Sequence, residues 1–170
     1  MFDSPTNVAD SWKRNVAPGD IVLFAYPVAD PDSGARPKIR PCLVLESEDH
    51  ETGKRILLAY GTSQPPKGPR GYDITVRGAS DLLVAGLAKP TRFIASRLLS
   101  VSVESSRFGT RDRVTPVIGH LSSAALVRMN RVRARLHAEA DMASERRRER
   151  ATRSRFTVER RVRKQLVPHI

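Results

Sequence analysis

One arginine of this 170-residue chain is well placed to bind a phosphate. Arg40 stands directly before Pro41 and the apolar run 42–45. Proline has a fixed φ and no N–H to donate, so it suits the first residue of a strand, and it keeps the residue before it extended. A guanidinium is planar, permanently charged and matched to a phosphate. The sequence therefore predicts a cation at the rim of a sheet, unless Asp20 or Asp30 pairs with Arg40.

Two hydroxyl side chains follow the next predicted strand. The segment 55–60 is typical of a strand, and Thr62 and Ser63 come directly after it. If this strand lies beside the one that starts at Pro41, both hydroxyls lie near Arg40. A Thr-Ser pair at a strand end is often only part of a turn, so a turn and a site both remain open interpretations.

Short strands followed by a helix must position these side chains. Residues 29–39 and 64–71 are rich in turn formers, whereas Ser122 is a plausible helix N-cap before an apolar stripe with helical spacing. The strands are predicted at 20–28, 41–46, 55–60, 72–76, one or two within 91–103, and 114–118.

Several segments in this order resemble the PemK/MazF family of toxin ribonucleases. The resemblance covers roughly residues 18–136, and no single motif carries it alone. The matching segments are 18–24, Arg40-Pro41, 57–64, 85–90 and 119–122.

The resemblance implies a mainly β fold with α, an SH3-like antiparallel β-barrel with a C-terminal helix. It implies a sequence-specific endoribonuclease toxin that cleaves single-stranded RNA without metal or cofactor, through attack of the ribose 2′-hydroxyl on the adjacent phosphorus. The products are a cyclic phosphate and a 5′-hydroxyl. A homodimer, a cytoplasmic location and a cognate antitoxin protein are implied as well.

The site residues follow from the same resemblance. Arg40 matches the catalytic arginine, Thr62 the active-site threonine, and Ser63 shares its task. We expect the loop cations to contact RNA phosphates; they are Arg36, Lys38, Lys67 and Arg70. Two positions depart from some family members: the loop before Arg40 has no His, and residues 94–96 replace an Arg-X-Asp group. No general base is therefore assigned.

The net charge is distributed unevenly along the chain. The net charge is +12, and residues 128–170 hold 14 basic and 5 acidic residues. We predict a leader at 1–17 whose Trp12 packs back onto the barrel, a barrel with its helix at 18–140, and an Arg-rich extended helical tail at 141–170. The tail is suited to RNA or to an acidic partner.

Composition narrows the class of protein. No apolar run is long enough to span a membrane and no signal peptide is evident, while the lone Cys42 fits a reduced compartment. One Cys and four scattered His offer no zinc spacing, so no metal site is expected. Two alternatives to an enzyme remain: a non-catalytic nucleic-acid-binding SH3-like barrel, and an interaction module whose basic helix docks an acidic partner.

Overall fold

The computed structural model describes residues 8–27, 37–65 and 71–165, with side chains for 9–27, 37–65 and 71–153. These residues form a mainly β fold with a C-terminal helix, as the sequence predicts. The strands are β1 Asp20–Ala25, β2 Ile39–His50, β3 Gly53–Thr62, β4 Asp73–Val76, β5 Thr91–Ser102 and β6 Val117–His120. The helices are the 3₁₀ turn Val8–Asp10, α1 Ser11–Asn15, α2 Ala79–Val84 and α3 Ser123–Gln165.

The strands form one antiparallel sheet that curls into a half-barrel, in the order β4-β5-β3-β2-β1-β6. Bulges interrupt the pairing of β2 with β3 between Val44 and Glu46, and that of β3 with β5 between Ala59 and Tyr60. Such bulges bend and twist a strand, and they give the sheet its curl. The segment 91–103, for which the sequence allows one or two strands, forms the single long strand β5.

The hairpin of β2 and β3 is longer than the sequence predicts. The acidic segment after residue 46 has the composition of a turn, yet pairing continues to His50 opposite Gly53. Opposite charges face each other across the two strands, with Asp49 opposite Lys54 and Glu48 opposite Arg55. Cross-strand pairs of opposite charge stabilise a sheet, and here they overcome the poor strand propensity of the acidic residues.

A continuous core covers one face of the sheet. Trp12 packs into it with 8% of its surface exposed, and its ring meets that of Phe108 edge-on at 4.9 Å. The predicted packing of Trp12 onto the sheet is therefore confirmed. Other members of this core are Val22, Phe24, Tyr26, Cys42, Val44, Ile56, Leu58 and Tyr60.

The start of α3 follows the sequence signals closely. The Ser122 hydroxyl accepts a hydrogen bond from the Ala125 N–H at 3.5 Å, which is the bond that an N-cap residue makes. Leu121, Met129 and Val132 are buried, as the apolar stripe predicts.

The chain divides into two compact units, Met1–Val132 and Arg133–Ile170. The first contains the sheet. In the second, none of the described side chains, residues 133–153, is buried. The predicted boundaries at residues 17 and 140 stay predictions. None of the described helices is both long and apolar enough to cross a membrane.

Candidate functional site

A cavity of about 400 Å³ opens where β2 begins and β3 ends. Arg40, Thr62 and Ser63 line it together, and Lys38 lines it as well. The structure therefore brings together the three predicted catalytic residues and one predicted RNA contact. The other described residues that line it are Leu23, Ile39, Pro41, Gly61, Gly86, Leu87, Ala88, Lys89, Thr91, Arg111, Arg113 and Ile118.

The Arg40 guanidinium rests on an aromatic ring. Its central carbon lies 5.8 Å from the centroid of the Tyr60 ring, and Tyr60 is itself 7% exposed and packed against Tyr26 at 5.3 Å. A cation over a tyrosine face gains about 0.5–2 kcal/mol, depending on desolvation. Tyr60 therefore restricts the orientation of the Arg40 side chain.

No carboxylate within the described ranges forms a salt bridge with Arg40. Asp20, one of the two candidate partners, instead accepts a hydrogen bond from the Ala17 N–H at 2.9 Å. Asp30, the other candidate, lies outside the described residues. Asp20 therefore does not neutralise the charge that Arg40 presents to the cavity.

The two hydroxyls differ in their surroundings. The Thr62 hydroxyl is buried and accepts a hydrogen bond from the Gln64 N–H at 3.1 Å. That bond is the turn role that the sequence left open, but it uses the oxygen as acceptor and leaves the hydroxyl hydrogen to donate. Ser63 is exposed at the rim of the cavity. Thr62 can therefore complete a turn and bind an anion simultaneously.

Gly61 is needed where β3 approaches β2 at the cavity. A Cβ at this position would lie 2.1 Å from the Pro41 carbonyl oxygen and 3.0 Å from the Phe93 ring. No side chain fits against a backbone oxygen at that distance. Glycine thus permits the close approach that places Thr62 beside Arg40.

Three cations of the cavity were not assigned to the site from the sequence: Lys89, Arg111 and Arg113. Lys89 precedes β5, and the two arginines lie between β5 and β6, far along the chain from Arg40. Arg111 and Arg113 belong to no local motif, whereas Lys89 lies in the matching segment 85–90, where the resemblance assigns it no role in the site. Together with Lys38 and Arg40 they make five cations among the described lining residues, none of which is acidic. The cavity is therefore suited to a negatively charged ligand.

The structure locates none of the other predicted RNA contacts. Arg36, Lys67 and Arg70 lie outside the described residues. Arg92, near the position of the missing Arg-X-Asp group, forms a largely buried salt bridge with Asp73 at 2.8 Å. It holds β4 to β5 and does not line the cavity.

Cys42 lies in the core next to the site but is not suited to nucleophilic chemistry. Burial raises the pKa of its thiol to about 12, although a hydrogen bond from the Gly61 backbone and the charge of Arg40 act in the opposite direction. The reactive form of cysteine is the thiolate, so the thiol stays protonated and inert near neutral pH. The lining residues that the structure describes include no His, Asp or Glu, so they supply no ordinary general base.

Comparison of the chain with models of known protein families and with curated proteins finds no match. The functional assignment therefore depends on the chemistry of the cavity and on the motifs of the sequence.

Proposed function

We propose that the chain is a metal-independent endoribonuclease of the PemK/MazF type, built on an SH3-like barrel. The observation that carries this proposal is the meeting of Arg40, Thr62 and Ser63 in one cavity, where every charged lining residue within the described ranges is a cation. In the reaction, the ribose 2′-oxygen bonds to the adjacent phosphorus and the bond from phosphorus to the 5′-oxygen breaks. The 2′-oxygen loses a proton, the 5′-oxygen gains one, and a cyclic phosphate and a 5′-hydroxyl result.

Arg40 stabilises the pentacovalent phosphorane, which carries more negative charge than the starting phosphodiester. Fixed donors do this best, because they need no reorganisation during the reaction. Packing against Tyr60 and placement before Pro41 supply that rigidity. Arg40 does not act as the base, because a guanidinium stays protonated in proteins.

The hydroxyls of Thr62 and Ser63 donate hydrogen bonds to the non-bridging phosphate oxygens. Thr62 is held in place by its bond from the Gln64 N–H. A single-stranded substrate fits the reaction, because the 2′-oxygen must rotate into line behind the bond that breaks. The enzyme acts as a cytoplasmic homodimer that an acidic antitoxin neutralises, and the basic residues of α3 offer a surface to RNA or to that antitoxin.

End-labelled RNA incubated with the purified protein in excess EDTA tests the proposal. We expect cleavage to persist without divalent metal. The downstream products should accept a phosphate from polynucleotide kinase without prior phosphatase treatment, because they carry a 5′-hydroxyl. Intact RNA, or loss of activity in EDTA, would contradict the proposal.

A second candidate is a nucleic-acid-binding barrel without catalysis. Its supporting observation is that the lining, over residues 8–27, 37–65 and 71–165, has no His, Asp or Glu to act as a base. The same experiment distinguishes the two functions. A binding protein retards the labelled RNA in a native gel but leaves it uncut under every metal condition.

A further inference from the structure

The loop between β5 and β6 is tied to β1 at both ends. The Gly109 N–H donates to the Leu23 carbonyl at 3.0 Å, and the Leu23 N–H donates to the Pro116 carbonyl at 2.9 Å. The Ala25 N–H adds a bond to the Arg107 carbonyl at 2.9 Å. Leu23 lines the cavity, so these bonds fix residues 110–115 at its wall.

Within this loop, the backbone directs Arg111 toward the start of β2. Arg111 has a φ of 49° and is the one non-glycine residue with positive φ in the described ranges. A left-handed conformation costs an arginine about 1–3 kcal/mol and is often retained at functional sites. Its Nη2 lies 3.4 Å from the carbonyl oxygen of Ile39, the residue before Arg40. The Arg113 N–H closes the turn on the Thr110 carbonyl at 2.9 Å.

The positive charge of the cavity lining favours the binding of an anion. Five cations line one cavity and no carboxylate accompanies them among the described lining residues, and like charges so placed repel each other. The volume of about 400 Å³ lies within the range of ordinary ligand pockets, about 300–1,000 Å³. It is too large for the single phosphate that Arg40 and Thr62 would hold.

We propose that Lys89, Arg111 and Arg113 form a second phosphate subsite, which binds a phosphate next to the one at Arg40 on the same RNA strand. The assignment of RNA as the ligand of this subsite rests on the proposed function. Its role is to fix the strand so that the bond to be broken lies at Arg40. Binding of two neighbouring phosphates favours a polynucleotide over a mononucleotide.

Three variants and one probe test the subsite. Arg113→Gln removes a lining cation, and Arg111→Asn removes another while keeping a residue type that tolerates positive φ. Arg107→Gln is the matched control, because Arg107 is exposed in the same segment and does not line the cavity. The probe is a fluorescent, mixed-sequence 2′-O-methyl RNA dodecamer, which binds but lacks the 2′-hydroxyl needed for cleavage. Anisotropy is measured between 50 and 300 mM KCl, after thermal melts have shown equal folding.

We expect Arg113→Gln and Arg111→Asn each to weaken binding about tenfold at low salt, which corresponds to about 1.4 kcal/mol. The slope of log affinity against log salt should become shallower by about 0.7 for each single-strand phosphate that the variant no longer neutralises. Arg107→Gln should match the wild type in both quantities.

Wild-type affinity and slope for Arg113→Gln would overturn the subsite. A weakening confined to Arg111→Asn would overturn it too, because Arg111 would then act only through its hydrogen bond to Ile39. The proposed function is judged separately, by wild-type cleavage in EDTA. If the wild type cuts nothing but both variants bind more weakly, the enzyme proposal fails and the subsite stands.

Discussion

The β2–β3 hairpin has two ends of opposite character. At one end Arg40 and Thr62 meet in a cavity, and the charged residues that the structure describes in its lining are all cations. At the other end, β2 carries three acidic residues, Glu46, Glu48 and Asp49, followed by Glu51 in the turn. The same two strands thus present a surface that attracts polyanions and one that repels them.

The cations at the two ends also differ in their partners. At the acidic end, Lys54 lies 4.0 Å from Asp49 and donates to the Arg14 carbonyl at 2.6 Å, while Arg55 donates twice to Ser100. At the cavity end, the described residues give Arg40 an aromatic ring and no carboxylate. The difference teaches that a cation whose N–H groups are bonded to other protein atoms says little about function, whereas a cation with no hydrogen-bonded partner among the described residues marks a candidate site.

Replacing Arg40 should have the largest effect. We expect Arg40→Ala to slow cleavage about 10²- to 10³-fold, the usual cost of removing one preorganised donor, with little loss of folding stability. Arg55→Ala at the opposite end of the hairpin is the matched control and should cleave at the wild-type rate. Single-turnover rates on labelled RNA provide the measurement. If Arg40→Ala cuts within a few-fold of the wild type, Arg40 is structural and the site assignment fails.

Thr62→Ala should have a smaller effect, because it removes a neutral hydrogen bond. Such a bond contributes about 0.5–1.5 kcal/mol, so we expect a rate about 3- to 10-fold lower. Thr62→Ser should restore most of the rate, since it keeps the hydroxyl that bonds to Gln64. Ser63→Ala, measured beside them, tests whether the exposed hydroxyl contributes. An unchanged single-turnover rate for Thr62→Ala would leave Thr62 as a turn residue alone.

Deleting residues 141–170 tests whether a second basic region adds to the cavity. The deletion removes ten basic and four acidic residues, so the net charge falls by 6. We expect the remaining chain to fold, because three buried residues precede the cut: Leu121, just before α3, and Met129 and Val132 in its first turns. RNA affinity should fall modestly and its salt dependence should become shallower, by about 0.7 for each phosphate that the shortened chain no longer neutralises.

Fluorescence titrations of full-length and truncated protein at several salt concentrations measure this effect. Parallel salt slopes would refute an RNA-binding tail. Weaker neutralisation by an antitoxin, with unchanged RNA binding, would instead assign the tail to that partner.

The sequence alone allowed the prediction that Arg40 lies near the two hydroxyls, because two strands joined by a short turn pair antiparallel. It could not decide between Thr62 and Ser63. The pair His50 and Gly53 sets a register that, continued unchanged, would place residue 40 opposite Ser63. The bulge after Val44 shifts the register by one, which gives the pairing of Cys42 with Tyr60. Continued in that register, Arg40 would lie opposite Thr62. No turn or Gly-Pro signal in the sequence announces that bulge.

The two cations of the loop between β5 and β6 could not be assigned to the site from any local sequence pattern. Arg111 and Arg113 reach the cavity only because residues 107–116 lie along β1. That placement depends on Phe108, whose ring packs edge-on against both Trp12 and Phe24 at 4.9 Å. These rings belong to residues far apart in the chain, and periodicity and turn chemistry carry no information about their packing.

Neutralising the acidic end should have the smallest effect, and distance is the reason. Glu48 follows Arg40 by eight residues along β2, which corresponds to about 25 Å at about 3.3 Å per residue. The Debye length is about 8 Å at physiological salt and about 30 Å at 0.01 M. The double variant Glu48→Gln/Asp49→Asn should therefore bind and cleave RNA within about twofold of the wild type at 0.15 M salt. Its association rate should rise above the wild-type rate only near 0.01 M.

Stopped-flow association at both salt concentrations measures this, with thermal melts to account for the weakened pairing with Arg55 and Lys54. A marked change in binding at 0.15 M would mean that RNA reaches the acidic end, and the contrast between the two ends of the hairpin would no longer locate the site.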